Sequence, residues 1–363
     1  MQNIHKFKWF AILTMVLLYP FTSLAVEWKG SNWNVNLNGA LRVSYNDDDI
    51  GTETDTKTSN KYMSGNVSHI QFTGSRSLSI GINGIFKTEW GLDPTDTSYG
   101  NGTSSEEDEE KLSLTDMDQY IGLEGGFGII RVGTMLTPYM QTGIMMDPYR
   151  RDALGARFFP EIQSALHTGT AKGRGRTTNS IRIDSPPKKG VAAQFFYGID
   201  ESDDNDNSIG TGLTFDSKYF SLFAQWYDNN ESGKDKAHKY GGEIKGGGVS
   251  LFGQYEFDAG LISMAENLAP DGTDADTNST YGADVWHAGL KYFNGKFLVI
   301  GQYGQRKDSK DGASPNDGLA GWLMGLSVFL DNSFYLYTGY VHKDFNDNRN
   351  SDSRFSLGGT LTF

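Results

Sequence analysis

The sequence predicts an all-β fold: a transmembrane antiparallel β-barrel of about 16 strands, with a long third loop folded into the lumen. Three observations predict it. Short segments along most of the chain alternate apolar and polar residues, as strands with two unlike faces do. The connections between them alternate between tight turns and long polar loops, many of them acidic. Glycine (45), tyrosine (18) and phenylalanine (22) are abundant while proline (9) is scarce, a profile of many short aromatic-bearing strands.

Residues 1–25 stand apart. Lys6 and Lys8 precede an apolar run from Trp9 to Leu18, and Ser23-Leu24-Ala25 offers a small-x-small cleavage site. That order is a secretory signal peptide, with an apolar run too short for a spanning helix of about 20 residues. The mature chain is expected to begin at Val26 and to form a single domain over 26–363, because no linker divides it.

From Asn34, Val35, Leu37, Leu41 and Val43 share one face of a strand, with Asn34, Asn36, Asn38, Arg42 and Ser44 on the other. The stretch NDDDIGTETDTKTSN reads as an acidic loop. Two strands follow, near Val67–Thr73 and Leu78–Trp90, joined at Ser75–Ser77; Lys87 and Glu89 share the polar face of the second. A second acidic loop, Asp93–Leu114, leads to two strands around the glycine-rich turn Gly125-Gly126-Phe127-Gly128.

Next comes the third loop, Tyr139 to Thr178, which shows neither sustained alternation nor a helical stripe. It holds six basic residues (Arg150, Arg151, Arg157, Lys172, Arg174, Arg176) against three acidic ones (Asp147, Asp152, Glu161). A loop of roughly forty residues inside a compact domain is functional or disordered. Beyond it the alternation resumes in NSIRIDSP and VAAQFFYGI, and strands recur near 209–215, 219–227, 239–245, 249–257, 283–292, 297–306, 319–330, 333–342 and 354–363. In the last, Phe355, Leu357, Leu361 and Phe363 oppose Arg354, Ser356, Thr360 and Thr362. Trp90, Trp226 and Tyr227, near strand ends, are candidates for an interfacial aromatic girdle.

Composition narrows the function. A net charge of −13 argues against nucleic acid as partner. Cysteine is absent, so stability rests on the closed ladder, which hydrocarbon makes obligatory. The acidic stretches Ser104–Lys111 and Asp200–Asn207 lack the spaced ligands and central glycine of a calcium loop and read as solvated charge. The histidines His69, His167, His238, His287 and His342 sit in no catalytic motif; an enzyme needs a nucleophile beside a positioned base, and none is expected. No cofactor or metal is implied.

The sequence resembles the general bacterial porins of Gram-negative outer membranes, the beta-proteobacterial type in particular. The resemblance rests on Gly122-Leu123-Glu124-Gly125-Gly126-Phe127-Gly128, Thr137-Pro138-Tyr139, Asn179-Ser180-Ile181-Arg182-Ile183-Asp184-Ser185-Pro186 and the terminal Phe363, and it spans essentially all of Val26 to Phe363. It implies a homotrimer of sixteen-stranded water-filled channels in contact with outer-membrane lipid and lipopolysaccharide, passing ions and small hydrophilic solutes by passive diffusion. Loop carboxylates Asp147, Asp152 and Glu161 would face wall cations Arg42, Lys87, Arg131 and Arg182. One departure stands out: Gly133-Thr134-Met135-Leu136 replaces the family's Gly-Arg-Gln before Thr-Pro, so a wall arginine is missing near Arg131. The excess of loop arginines points to an anion preference. The alternatives are a substrate-specific outer-membrane channel with a saturable site for an anionic solute, an outer-membrane barrel enzyme, and an adhesin without an open pore.

Overall fold

The computed structural model describes residues 26–51, 57–78, 81–95, 115–167, 175–199, 207–228, 236–257, 283–308, 318–346 and 350–363. The proposed leader, Lys172, Arg174 and nearly all of the two acidic stretches lie outside the described residues.

The first strands are β1 (Val26–Lys29), β2 (Trp33–Gly51), β3 (Lys57–Ser64), β4 (His69–Ser77), β5 (Asn83–Gly91) and β6 (Thr115–Gly125). Then come β7 (Gly128–Leu136), β8 (Arg176–Asp184), β9 (Val191–Gly198), β10 (Ser208–Asp216), β11 (Phe220–Asp228) and β12 (Lys236–Gly246). The last six are β13 (Val249–Phe257), β14 (Val285–Phe293), β15 (Phe297–Arg306), β16 (Leu319–Phe329), β17 (Phe334–Phe345) and β18 (Asp352–Thr362).

All 18 belong to one antiparallel sheet, but they fill sixteen positions. On one side of β2, β1 pairs with its first half (Val26↔Leu37) and β18 with its second (Leu361↔Leu41). On the other side, β4 and β3 divide it in the same way (Leu37↔Phe72, Tyr45↔Met63). The β18–β2 ladder closes the ring, and the terminal Phe363 exchanges backbone hydrogen bonds with Gly39 at 2.8 and 3.1 Å. A closed ladder leaves no amide edge to hydrocarbon, which is why a sheet this large survives in a bilayer.

The two faces divide as the alternation requires. In β18, Phe355, Leu357 and Leu361 are exposed while Arg354, Ser356 and Thr360 are buried. In β5, Phe86 is exposed and Glu89 fully buried. The barrel is thus inverted relative to a soluble protein, with leucine, valine and phenylalanine outside and charge inside. The same rule corrects one expectation. Trp226 and Tyr227 are neighbours in one strand and cannot share a face; Tyr227 turns inward and packs 6.3 Å from the Tyr139 ring.

Two boundaries differ from the sequence reading. The β4–β5 turn lies at 78–82, not at Ser75–Ser77. Leu78, Ile80 and Ile82 mimic a strand face, but Gly81 takes φ +74° and the Leu78 amide donates to the Ile82 carbonyl at 2.8 Å. The polar stretch read as the first loop contains strand: β2 runs to Gly51 and pairs with β3 as far as Gly51↔Lys57. Hydrogen-bonded strand needs no apolar face once it projects beyond hydrocarbon into water.

The long stretch between β7 and β8 is more ordered than its pattern predicts. It opens with a helix, α1 (Pro138–Met145), capped by the Thr137 hydroxyl accepting from the Met140 amide at 3.1 Å, with Pro138 in the first turn. A 3₁₀ turn follows at Ala165–His167. The stretch packs against the buried polar face of the barrel. There the wall makes room for it: a Cβ on Gly339 would lie 2.5 Å from Leu154 Cδ1, and one on Gly325 would collide with the Tyr149 ring. Gly325→Val and Gly339→Val are therefore expected to unseat the loop at a cost of about 1–3 kcal/mol, read as a lower thermal midpoint and faster protease cleavage at Arg150 and Arg151. Unchanged midpoint and cleavage would show that the glycines are not what seats the loop.

Candidate pore constriction

The loop is fastened at several points around the wall. At its start the Tyr139 hydroxyl donates to Glu256 of β13 at 2.9 Å, and Lys239 of β12 reaches the Tyr139 carbonyl and, at 3.0 Å, His167 Nε2. The Ser164 hydroxyl donates to the same Glu256 carboxylate at 2.5 Å. On the far wall the Glu161 carboxylate accepts from Lys343 of β17 at 2.6 Å and lies 3.5 Å from Arg306 of β15. Arg354 of β18 donates to the Ala153 carbonyl at 3.1 Å while holding Asp48 of β2 by two bonds of 2.7 Å. Removing one partner of a buried ion pair strands the other charge, so these contacts hold the loop in one position.

Ser164, His167 and Glu256 come together, yet they do not form a nucleophilic site. His167 and Ser164 have no solvent exposure, and the hydroxyl is committed to the carboxylate. Burial, with the Lys239 ammonium beside it, holds the His167 imidazole well below its usual range and thus neutral.

The sequence-predicted cations separate into anchors and lining groups. Arg157 is buried and donates to the carbonyls of His167 and Arg150, which makes it an internal clamp of the loop. Burial first, and neighbouring guanidinium groups after it, lower its pKa to about 10, so it remains charged. Lys87 is shared by Glu89 at 2.8 Å and Asp118 at 3.0 Å, and Asp118 also accepts from Arg176 of β8 at 2.8 Å. Arg131 and Arg182, paired across β7 and β8, both bind Asp184. Arg182 also donates to the Leu136 carbonyl at 3.0 Å. All four are bound to the wall's own carboxylates.

Arg42, Arg150 and Arg151 converge with Asp147, Asp152 and Tyr335 of β17 on one cavity of about 260 Å³. Arg42 donates to the Val67 carbonyl at 2.7 Å, and its Nε stands 3.8 Å from Asp152, beyond hydrogen-bond reach. Arg151 contacts His69 of β4 at 2.9 Å and Glu89 at 3.4 Å. Arg150 is exposed, and among the described residues no carboxylate pairs with it. The carboxylates are less available. Asp147 accepts from the backbone amides of Tyr149 (3.1 Å) and Ala156 (2.8 Å), and Asp152 from the Tyr335 hydroxyl at 3.2 Å. Burial outweighs the adjacent arginines and raises both acids to about 6.

Asp48, Glu89, Asp118, Asp184, Lys239, Glu256, Lys343 and Arg354 were not singled out from the sequence as site residues. Each sits at a polar-face strand position, buried except for the half-buried Asp184, so alternation places it correctly. What alternation lacks is the height at which each charge meets the loop.

The match with a sequence model of the Gram-negative porins spans residues 13–363. The chain belongs to the Gram-negative porin family. This porin is similar to the chitoporin of Vibrio furnissii, 27% identical over 89% of either chain. It is 26% identical to the major outer membrane protein P.IB of Neisseria gonorrhoeae over 56% of this chain and 54% of that protein. In structure it is like the anion-selective porin from Comamonas acidovorans, with a TM-score of 0.70 at 17% identity over 91% of this chain and all (100%) of that one. The trimer form of Vibrio cholerae OmpT superimposes with a TM-score of 0.60 at 12% identity, covering 92% of this chain and 100% of that one. The protein is accordingly an outer-membrane channel and not an enzyme.

The raised acids give the pore a pH response of defined sign. An acid with a pKa of about 6 loses its negative charge as pH falls through that value. The lining then becomes more positive, and anion permeability should rise. Reversal potentials in a salt gradient on either side of pH 6 are expected to move towards the anion sign on acidification, with about half of the shift lost in Asp152→Asn and most of it in Asp147→Asn/Asp152→Asn. A pH-independent potential in the parent protein would refute this.

Proposed function

We propose that this porin is a general diffusion channel whose long loop lies across the lumen and sets its cross-section, with a preference for small anions. The observation that carries the reading is the convergence of Arg42, Arg150 and Arg151 on one cavity whose two carboxylates are buried and hydrogen-bonded. Charge fixed in a narrow passage with low-dielectric walls focuses its field on the permeating ion. Arg150 is exposed and forms no ion pair among the described residues; the nearby carboxylates Asp147 and Asp152 feel its charge but are buried and hydrogen-bonded elsewhere. The kinship in fold with an anion-selective porin supports this reading.

Assembly as a homotrimer belongs to the same proposal, supported by the trimer form of a structural neighbour. So does export through a cleaved leader, with Val26 as the mature amino terminus and lipid and lipopolysaccharide around the barrel. A saturable site for an anionic solute is the second reading, favoured by the same arginine-lined cavity. Block of conductance by low concentrations of one organic anion would select it over general diffusion.

In a planar bilayer under a potassium chloride gradient, the protein is expected to conduct in steps grouped in threes with an anion-sign reversal potential. Arg150→Glu changes the local charge by two. Acting over about 10 Å of water, that is worth about 0.8 kcal/mol per permeating ion. The anion-to-cation permeability ratio should fall on the order of tenfold at low salt. A cation-sign potential in the parent protein would overturn the anion preference, and absence of conductance the channel itself.

A further inference from the structure

The charge on the short-turn rim is unevenly distributed. Four turns in succession, at 185–190, 217–219, 247–248 and 294–296, join β8 through β15. Lys188, Lys189, Lys218 and Lys296 stand on them, all exposed, and among the described residues none pairs with a carboxylate. The other short turns among the described residues, at 30–32, 78–82, 126–127 and 330–333, carry no lysine and one charged residue, Asp331. In a chain of net charge −13, this basic arc is a local reversal of sign.

The arc is also rigid and continuous. The Asp216 amide donates to the Gly190 carbonyl at 2.9 Å, Lys245 to Tyr219 at 2.6 Å and Phe293 to Gly248 at 2.8 Å, so each turn is bonded to the next. Ser217 accepts from the Phe220 amide at 3.1 Å, and Asn294 from Phe297 at 2.8 Å, which fixes the turns that bear Lys218 and Lys296. Both lysines lie over outward aromatic rings, 5.2 Å from Tyr219 and 5.8 Å from Phe297. Tyr219, Phe220, Phe293 and Phe297 are exposed on the apolar surface just above. Aromatic rings at that boundary mark the headgroup level of a bilayer, so the ammonium groups stand at the height of lipid phosphates. Short turns of outer-membrane barrels face the periplasm, where the adjacent leaflet is phospholipid.

We propose that the rim from β8 to β15 is a binding surface for anionic phospholipid, with Lys188, Lys189, Lys218 and Lys296 holding headgroup phosphates against the aromatic band. The lysines lie on turns away from the cavity of Arg42, Arg150 and Arg151, so the surface is independent of ion selectivity.

The test uses the whole purified protein in mixed micelles holding equal amounts of phosphatidylglycerol and phosphatidylethanolamine, with bound lipids counted by native mass spectrometry. The parent is expected to retain phosphatidylglycerol preferentially. The variant K188Q/K189Q/K218Q/K296Q should lose that preference at least about fivefold while keeping its single-channel conductance as evidence of folding. Lys57→Gln with Lys61→Gln, on the opposite rim, should leave the preference intact. Equal retention of the two lipids by the parent, or equal preference in parent and fourfold variant, would overturn the proposal. So would lysine-dependent sedimentation with peptidoglycan in the absence of any lipid preference, which would assign the arc to the cell wall.

Discussion

Backbone amides in hydrocarbon have no water to turn to, so every strand of a membrane sheet needs a neighbour on both sides. In this chain that demand falls on β2. Its 19 residues accept four segments, β1 and β18 along one side and β3 and β4 along the other. The inverted distribution of side chains, the polar interior and the space for a loop all follow from that closure. With the apolar residues spent on the outer surface, the interior is left to charge.

Charge on the inner wall then has two uses, and they compete for the same side chains. Lys343, Arg354, Lys239 and Glu256 fasten the loop. Lys87, Arg131, Arg176 and Arg182 are paired with Glu89, Asp118 and Asp184. Charge counted over the whole loop is therefore a poor guide to the field an ion meets. What remains after pairing is a small group centred on Arg150, and the proposed anion preference rests on that group.

Much of this was legible in the sequence, because a barrel strand has period two and a one-residue error flips every side chain. Phe355, Leu357 and Leu361 against Arg354, Ser356 and Thr360 fixed one strand's orientation without any contact being known. Alternation fails where it is not the cause of structure. Leu78 and Ile82 alternate across a turn, and the polar residues of β3 pair as strand without alternating. Helix α1 is too short for a periodic signature; its evidence is local, the Thr137 cap and Pro138. The pairing of loop charges was not legible, since Glu161 and Lys343 are distant in sequence and meet only through the tertiary fold.

The β2–β18 seam has a consequence for how the molecule forms. Asp48 and Arg354, joined across it, are 306 residues apart. No partial chain can make this pairing, so the ring closes only after the last strand has been synthesised and delivered, and contacts of such long range form slowly. Until then two strand edges stay open together, one at each end of the chain. Closure of the ring therefore waits on β18, the strand that carries Arg354 to its partner Asp48.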